Sequence, residues 1–143
     1  MTSHLNSEHS GENTTLSQYW RYIPALIYTV FITILLLQPS GQPLIGQPAP
    51  PGPPSLRREI LLTFGHFGVF AGLVSVWWWA LLSTRSFERA LRSAVIFGLV
   101  FGIVSELAQT FSINRSVSAI DAGANIAAVL LVAWALSAYR NRH

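Results

Sequence analysis

Ser105-Glu106-Leu107-Ala108-Gln109-Thr110-Phe111-Ser112-Ile113-Asn114-Arg115-Ser116-Val117-Ser118-Ala119-Ile120-Asp121-Ala122-Gly123-Ala124-Asn125 is a polar island between two apolar runs, Ser93 to Val104 before it and Ile126 to Ala138 after it. It carries the carboxylates Glu106 and Asp121, with Gln109, Arg115 and Asn125 between or beside them. Charges next to such runs cost free energy unless they are paired or wet, and ionisable groups in apolar spans mark functional sites by default. Two helices joined by a short polar turn fit this pattern, and the rest of the chain is read outward from it.

Only 10% of the residues are charged and 51% are hydrophobic, whereas a soluble domain carries about 25% charged residues. The deficit predicts an all-α integral membrane protein. The chain has no cysteine, which removes disulfides and thiolate metal sites from consideration. Its net charge of +3 rests on arginine alone. These arginines sit at the ends of apolar runs, which marks membrane topology and gives no reason to expect nucleic acid.

Residues 1–18 are polar and aperiodic and are expected to form a disordered cytoplasmic tail; its two histidines, His4 and His9, read as solvated. The first transmembrane helix is expected over residues 19–38. Tyr19-Trp20-Arg21-Tyr22 anchors it at the interface, and Pro24 falls in its first turn, where proline costs little. A signal peptide is the alternative, but the long polar preamble and the lack of a small-x-small cleavage pattern favour a retained span. Residues 39–58 form a Pro/Gly-rich outer loop with Pro50-Pro51-Gly52-Pro53-Pro54 at its centre, read as a polyproline-like spacer.

The second span is predicted from Ile60 to Leu82. Gly65, Gly68 and Gly72 lie near one face and would admit a neighbouring helix, and Trp77-Trp78-Trp79 forms an aromatic belt at its far end. Ser83 to Arg92 reads as a loop. The third span runs from Ser93 to about Phe111, the fourth from about Ser118 to Tyr139, and residues 140–143 form a basic tail. On the third, Gly98, Gly102, Glu106 and Gln109 share one face; on the fourth, Ser118, Asp121, Asn125 and Ala128 do the same. Gly123 and Ala127 add a small-xxx-small pair there.

Arg21, Arg85, Arg89, Arg92, Arg140 and Arg142 would lie on one side of a four-helix bundle, and Arg57, Arg58 and Arg115 on the other. The excess predicts both termini in the cytoplasm of a multi-pass cell-membrane protein. At 1.5 Å per residue, Glu106 then lies roughly 20 Å beyond Arg92, in the outer part of a core about 30 Å thick. His66, two turns into the second helix, lies on the same side. His66, Glu106, Gln109, Arg115, Ser118, Asp121 and Asn125 are therefore predicted to converge in one outward-facing cup.

The third and fourth spans resemble the VanZ-like family of bacterial membrane proteins. The pattern stands as Glu106, Gln109, Phe111, Arg115, Ser118, Asp121 and Asn125, with His66-Phe67 as a weaker element, and covers about Ile60 to Ala138 within the 59–139 region. The family often has Asp-Lys a few residues before the His, where this chain has Leu62-Thr63. The family is named for a protein associated with resistance to the glycopeptide teicoplanin, so the resemblance implies an envelope location and little chemistry.

Three functions compete on these residues. One is non-catalytic binding of a cell-envelope ligand (lipid head group, cell-wall precursor or glycopeptide), with Arg115 on an anionic group and Gln109 and Asn125 orienting it. Another is a membrane-embedded hydrolase or transferase using Glu106, Asp121 and His66, although no nucleophile motif or zinc motif is present. A transporter is the third, disfavoured because the polar groups cluster at one end of the spans. No cofactor or metal is expected.

Overall fold

The computed structural model describes residues 19–38, 56–111 and 119–142, without the side chains of Arg58 and Glu59. Four helices follow in chain order: α1 (Tyr22–Leu36), α2 (Leu56–Leu81), α3 (Phe87–Gln109) and α4 (Ala119–Arg140). The last three are long and apolar enough to cross a membrane; α1 is a shorter apolar helix of 15 residues. At 1.5 Å per residue α1 is about 22 Å long, less than a hydrocarbon core of about 30 Å. Residues 1–18, expected as a tail, residues 39–55 of the expected Pro/Gly-rich loop, residues 112–118 and residue 143 fall outside the described residues.

Helices α2, α3 and α4 all pack on one another, while α1 lies mainly against α2. The buried core joins Phe70, Leu73 and Val74 of α2 to Ala90 and Ala94 of α3, Ala128 and Val129 of α4, and Ile32 and Leu36 of α1. Outside it lies an apolar sheath. On α3, Ile96, Val100, Ile103 and Leu107 are exposed, whereas Gly98, Gly102 and Glu106 are buried. A contiguous surface of this kind suits acyl chains and is a liability in water.

Two glycines set how closely the helices approach. A Cβ on Gly98 would stand 2.7 Å from Val74 Cγ2 and 3.2 Å from Val129 Cγ2, and one on Gly102 would stand 3.3 Å from Phe70. The predicted shared face of Gly98, Gly102, Glu106 and Gln109 is buried at all four positions. The α2 glycines differ from expectation. Only Gly72 meets a neighbour, the Tyr28 ring, whereas Gly65 and Gly68 have nothing within 4 Å, and the same holds for Gly123 on α4. Spacing identified a glycine-bearing stripe, but the core residues Phe70, Leu73 and Val74 turn it outward.

Helix α3 starts six residues earlier than the predicted Ser93. Ser86 is extended at the N-cap (φ −64°, ψ 156°) and Glu88 lies in the first turn, where a carboxylate favours the helix dipole. Ala90 and Leu91 face the core while Arg89 and Arg92 are exposed. The segment read as a charged loop is an amphipathic helical extension, its arginines reaching out on long apolar stems. Likewise α2 starts at Leu56, four residues before Ile60.

At the arginine-rich end the elements are tied by polar contacts. Tyr22 and Thr84 share a hydroxyl hydrogen bond of 2.7 Å, Arg85 Nη1 donates to Ser93 Oγ, and Arg140 pairs with Glu88. Arg21 lies over the rings of Trp20 and Trp79. Trp77 Nε1 donates to Thr29 Oγ1 at 2.9 Å. The pairings Tyr22 with Thr84 and Thr29 with Trp77 run antiparallel at one offset, which brings Leu36 level with Phe70. Helix α1 thus ends one turn short of His66.

Candidate functional site

The opposite end of the bundle, where α2 begins, α3 ends and α4 begins, gathers the buried polar side chains. His66, Ser105, Glu106, Gln109 and Asn125 are all at most 7% exposed. His66 Nδ1 lies 3.3 Å from Asn125 Oδ1, and Asn125 Nδ2 donates to Glu106 Oε1 at 3.2 Å. One amide therefore links α2 to α3 through α4.

The chain of bonds has a direction. With Glu106 ionised, both its oxygens accept only, so the Asn125 amide must offer its NH2 to Glu106 and turn its carbonyl to His66. His66 must then carry a proton on Nδ1. The neutral ring leaves Nε2 as an acceptor, while the protonated ring offers Nε2–H as a second donor.

Asp121, in the first turn of α4 and half-buried, accepts from Thr63 Oγ1 at 3.3 Å. Thr63 stands three residues before His66 and so on the same face of α2. It occupies the position where the Asp-Lys element was noted as missing, and it supplies a neutral donor to the α4 carboxylate. The sequence reading did not select it; its spacing from His66 is the signal that would have.

Ser105 is satisfied within its own helix, donating to the Gly102 carbonyl at 2.8 Å. Gln109 differs: it is 2% exposed, and its Nε2 has no hydrogen-bond partner among the described residues. Phe111 is 89% exposed just past the end of α3. Of the predicted cup, the structure brings together His66, Glu106 and Asn125 directly, places Asp121 one turn before Asn125 and Gln109 one turn beyond Glu106, and leaves Arg115 and Ser118 outside the described residues. Among the described residues no three His, Asp or Glu side chains are grouped to hold a metal ion.

These features define a helical protein with three helices of membrane-crossing length and a buried polar cluster at one end of them. No family model matches the sequence, and no curated protein or solved structure matches it either.

Proposed function

We propose that this chain is a VanZ-like, multi-pass protein of the bacterial cell membrane, with four transmembrane helices and both termini in the cytoplasm. Its polar cluster faces outward and binds a cell-envelope ligand without transforming it: a lipid head group, a cell-wall precursor or a glycopeptide. The arginine distribution supports the topology, since Arg85, Arg89, Arg92, Arg140 and Arg142 share the end opposite His66 and Glu106.

The observation that carries the binding reading is Gln109. A polar cluster that only locked helices together would pair its members internally, as His66, Asn125 and Glu106 do. A buried amide N–H left unmet costs about 1–3 kcal/mol, and a ligand acceptor would recover that cost. Catalysis is less well served. Asn125 stands between His66 and Glu106, so this carboxylate does not polarise the imidazole directly as a paired general base requires.

Native mass spectrometry of the purified chain with envelope lipids, a lipid-linked cell-wall precursor and a glycopeptide tests the proposal. At least one should bind, be recovered unchanged in mass, and bind at least tenfold more weakly, a loss of about 1.4 kcal/mol, to Glu106→Ala, Arg115→Ala and Asp121→Ala. Affinities unchanged by all three variants would refute it, and a product of altered mass would favour the hydrolase or transferase reading.

A further inference from the structure

The exposed side chains of α3 fall on one stripe. Arg89, Arg92, Ile96, Val100, Ile103 and Leu107 follow one another at three, four, four, three and four residues, so they share a helix face. The two arginines are exposed, and the four apolar residues are 55%, 53%, 62% and 59% exposed. Arg85 joins them from the turn before α3, where its Nη1 donates to Ser93 Oγ at 2.6 Å. Ser93 adjoins Arg92 and stands one turn after Arg89. Arg85 thus carries its charge back to the surface on which Arg89 and Arg92 are anchored.

The charge at the head of this stripe is unbalanced. Glu88 is the only carboxylate at this end of the bundle among the described residues. It stands four residues before Arg92 but pairs with Arg140 of α4. Arg89 and Arg92 form no ion pair among the described residues, and the partner of Arg85 is a neutral hydroxyl. Like charges one helical turn apart repel. An anion set among them removes that repulsion and accepts charge-assisted hydrogen bonds, and the guanidinium fork matches the oxygens of a phosphate.

What lies below the arginines selects the source of that phosphate. From Arg92 to Ile103 the stripe descends about 16 Å, close to the depth of one leaflet in a hydrocarbon core of about 30 Å. Ile96, Val100 and Ile103 present exposed apolar side chains along it. A free phosphate would leave this track uncovered, and so would a nucleic acid; a phospholipid covers both parts. A head group bearing an ammonium would bring another cation to three that lack a counter-charge, whereas a head group of net negative charge supplies one.

We infer that the α3 stripe binds an anionic phospholipid, with its phosphate among Arg85, Arg89 and Arg92 and one acyl chain along Ile96, Val100 and Ile103. This rests on the reading of the chain as membrane-spanning and is independent of the polar cluster at the other end.

The test reconstitutes the full chain in vesicles of phosphatidylethanolamine and phosphatidylglycerol, with a trace of one or the other lipid carrying a diazirine in its acyl chain. Leu130 and Leu131 of α4 are the reference, being 54% and 50% exposed; they follow Val129, which packs beside Gly98, and so share the depth of Ile96 and Val100. After photolysis, peptide mapping should show the phosphatidylglycerol probe on Ile96 and Val100 in several-fold excess over this pair, and the phosphatidylethanolamine probe should show no excess. Arg89→Gln combined with Arg92→Gln should remove the excess, at exposed positions that spare the fold. Arg21→Gln combined with Arg142→Gln takes the same charge from the same end and should leave the excess intact.

Equal labelling of the two helices by the phosphatidylglycerol probe overturns the inference, as does an equal excess with both probes. An excess that survives Arg89→Gln with Arg92→Gln overturns it too. So does equal loss in the two double variants, because the lipid then answers to the charge of the whole end and not to a site. If the excess is absent while Glu106→Ala still loses an envelope ligand, the lipid site falls and the polar-site reading stands. If neither probe labels any of these residues, α3 and α4 do not face acyl chains, and the inference falls together with the membrane reading.

Discussion

Asn125→Ala is the sharpest perturbation of the bundle, because one side chain carries both links of the polar chain. It removes the carbonyl 3.3 Å from His66 Nδ1 and the amide N–H that Glu106 Oε1 accepts at 3.2 Å. Interhelical hydrogen bonds in membranes average about 0.6 kcal/mol and reach about 1.7, so losing two costs about 1–3 kcal/mol. Asn125 is only 2% exposed, but it borders a hollow between α3 and α4. Lipid or water can therefore enter the space it leaves, which holds the loss below the values seen for sealed cavities. The assay is reversible unfolding in mixed micelles, run as a double-mutant cycle with His66→Ala. If the two side chains are bonded, His66→Ala should cost less in the Asn125→Ala background than in the parent. The coupling should exceed about 0.5 kcal/mol, above the scatter of independent sites. Strict additivity, or an Asn125→Ala variant as stable as the parent, would refute the bonded chain and the helix arrangement that requires it.

Other consequences are simpler. Gly98→Ala forces a Cβ against Val74 and Val129, and by overpacking it should cost about 1–3 kcal/mol in the same unfolding assay. Gly68→Ala meets nothing within 4 Å and should be neutral or slightly stabilising, as Ala is the better helix former by about 1 kcal/mol. Arg140→Ala should change stability by less than about 1 kcal/mol, because its partner Glu88 and Arg140 itself are 64% and 47% exposed. The chain has no cysteine, so single-cysteine labelling reads topology directly. With both termini inside, Ser86→Cys should react with an impermeant thiol reagent only after the membrane is opened, and Phe111→Cys in intact cells; the reverse pattern would invert the proposed orientation.

The helical content and the three crossing-length helices were legible because hydrophobic runs and their terminal arginines survive any detail of packing. The buried face of α3 was legible too: small and polar residues at four-four-three spacing leave few orientations that satisfy them. Other features depended on partners. Nothing local distinguishes Gly98 from Gly68, and the difference is that Val74 and Val129 approach one and no neighbour stands within 4 Å of a Cβ at the other. The start of α3 was obscured by the rule that reads arginines as loop, when Ser86, Glu88 and the buried pair Ala90 and Leu91 already specified a helix. Thr63 was overlooked because a hydroxyl in an apolar run carries little signal until Asp121 is seen opposite it.

A hollow of about 190 Å³ between α3 and α4 and the close approach of the helices share one cause. Gly98 and Gly102 let Val74 and Phe70 of α2 come near the α3 backbone, and the side chains missing there also leave bare backbone along the hollow facing α4. Larger residues at either position would push α2 away and fill the hollow together. Glu106 stands one turn beyond Gly102 on the same stripe, so the helix face that draws α2 in also brings Glu106 to the Asn125 amide. The tie through Asn125 to His66 then fixes α4 against both neighbours at that level. Since α1 ends a turn below His66, this register depends on the polar chain itself. Breaking that chain should loosen α4 from its neighbours before it unfolds the bundle, and Asn125→Ala at temperatures well below its midpoint is where the two effects separate.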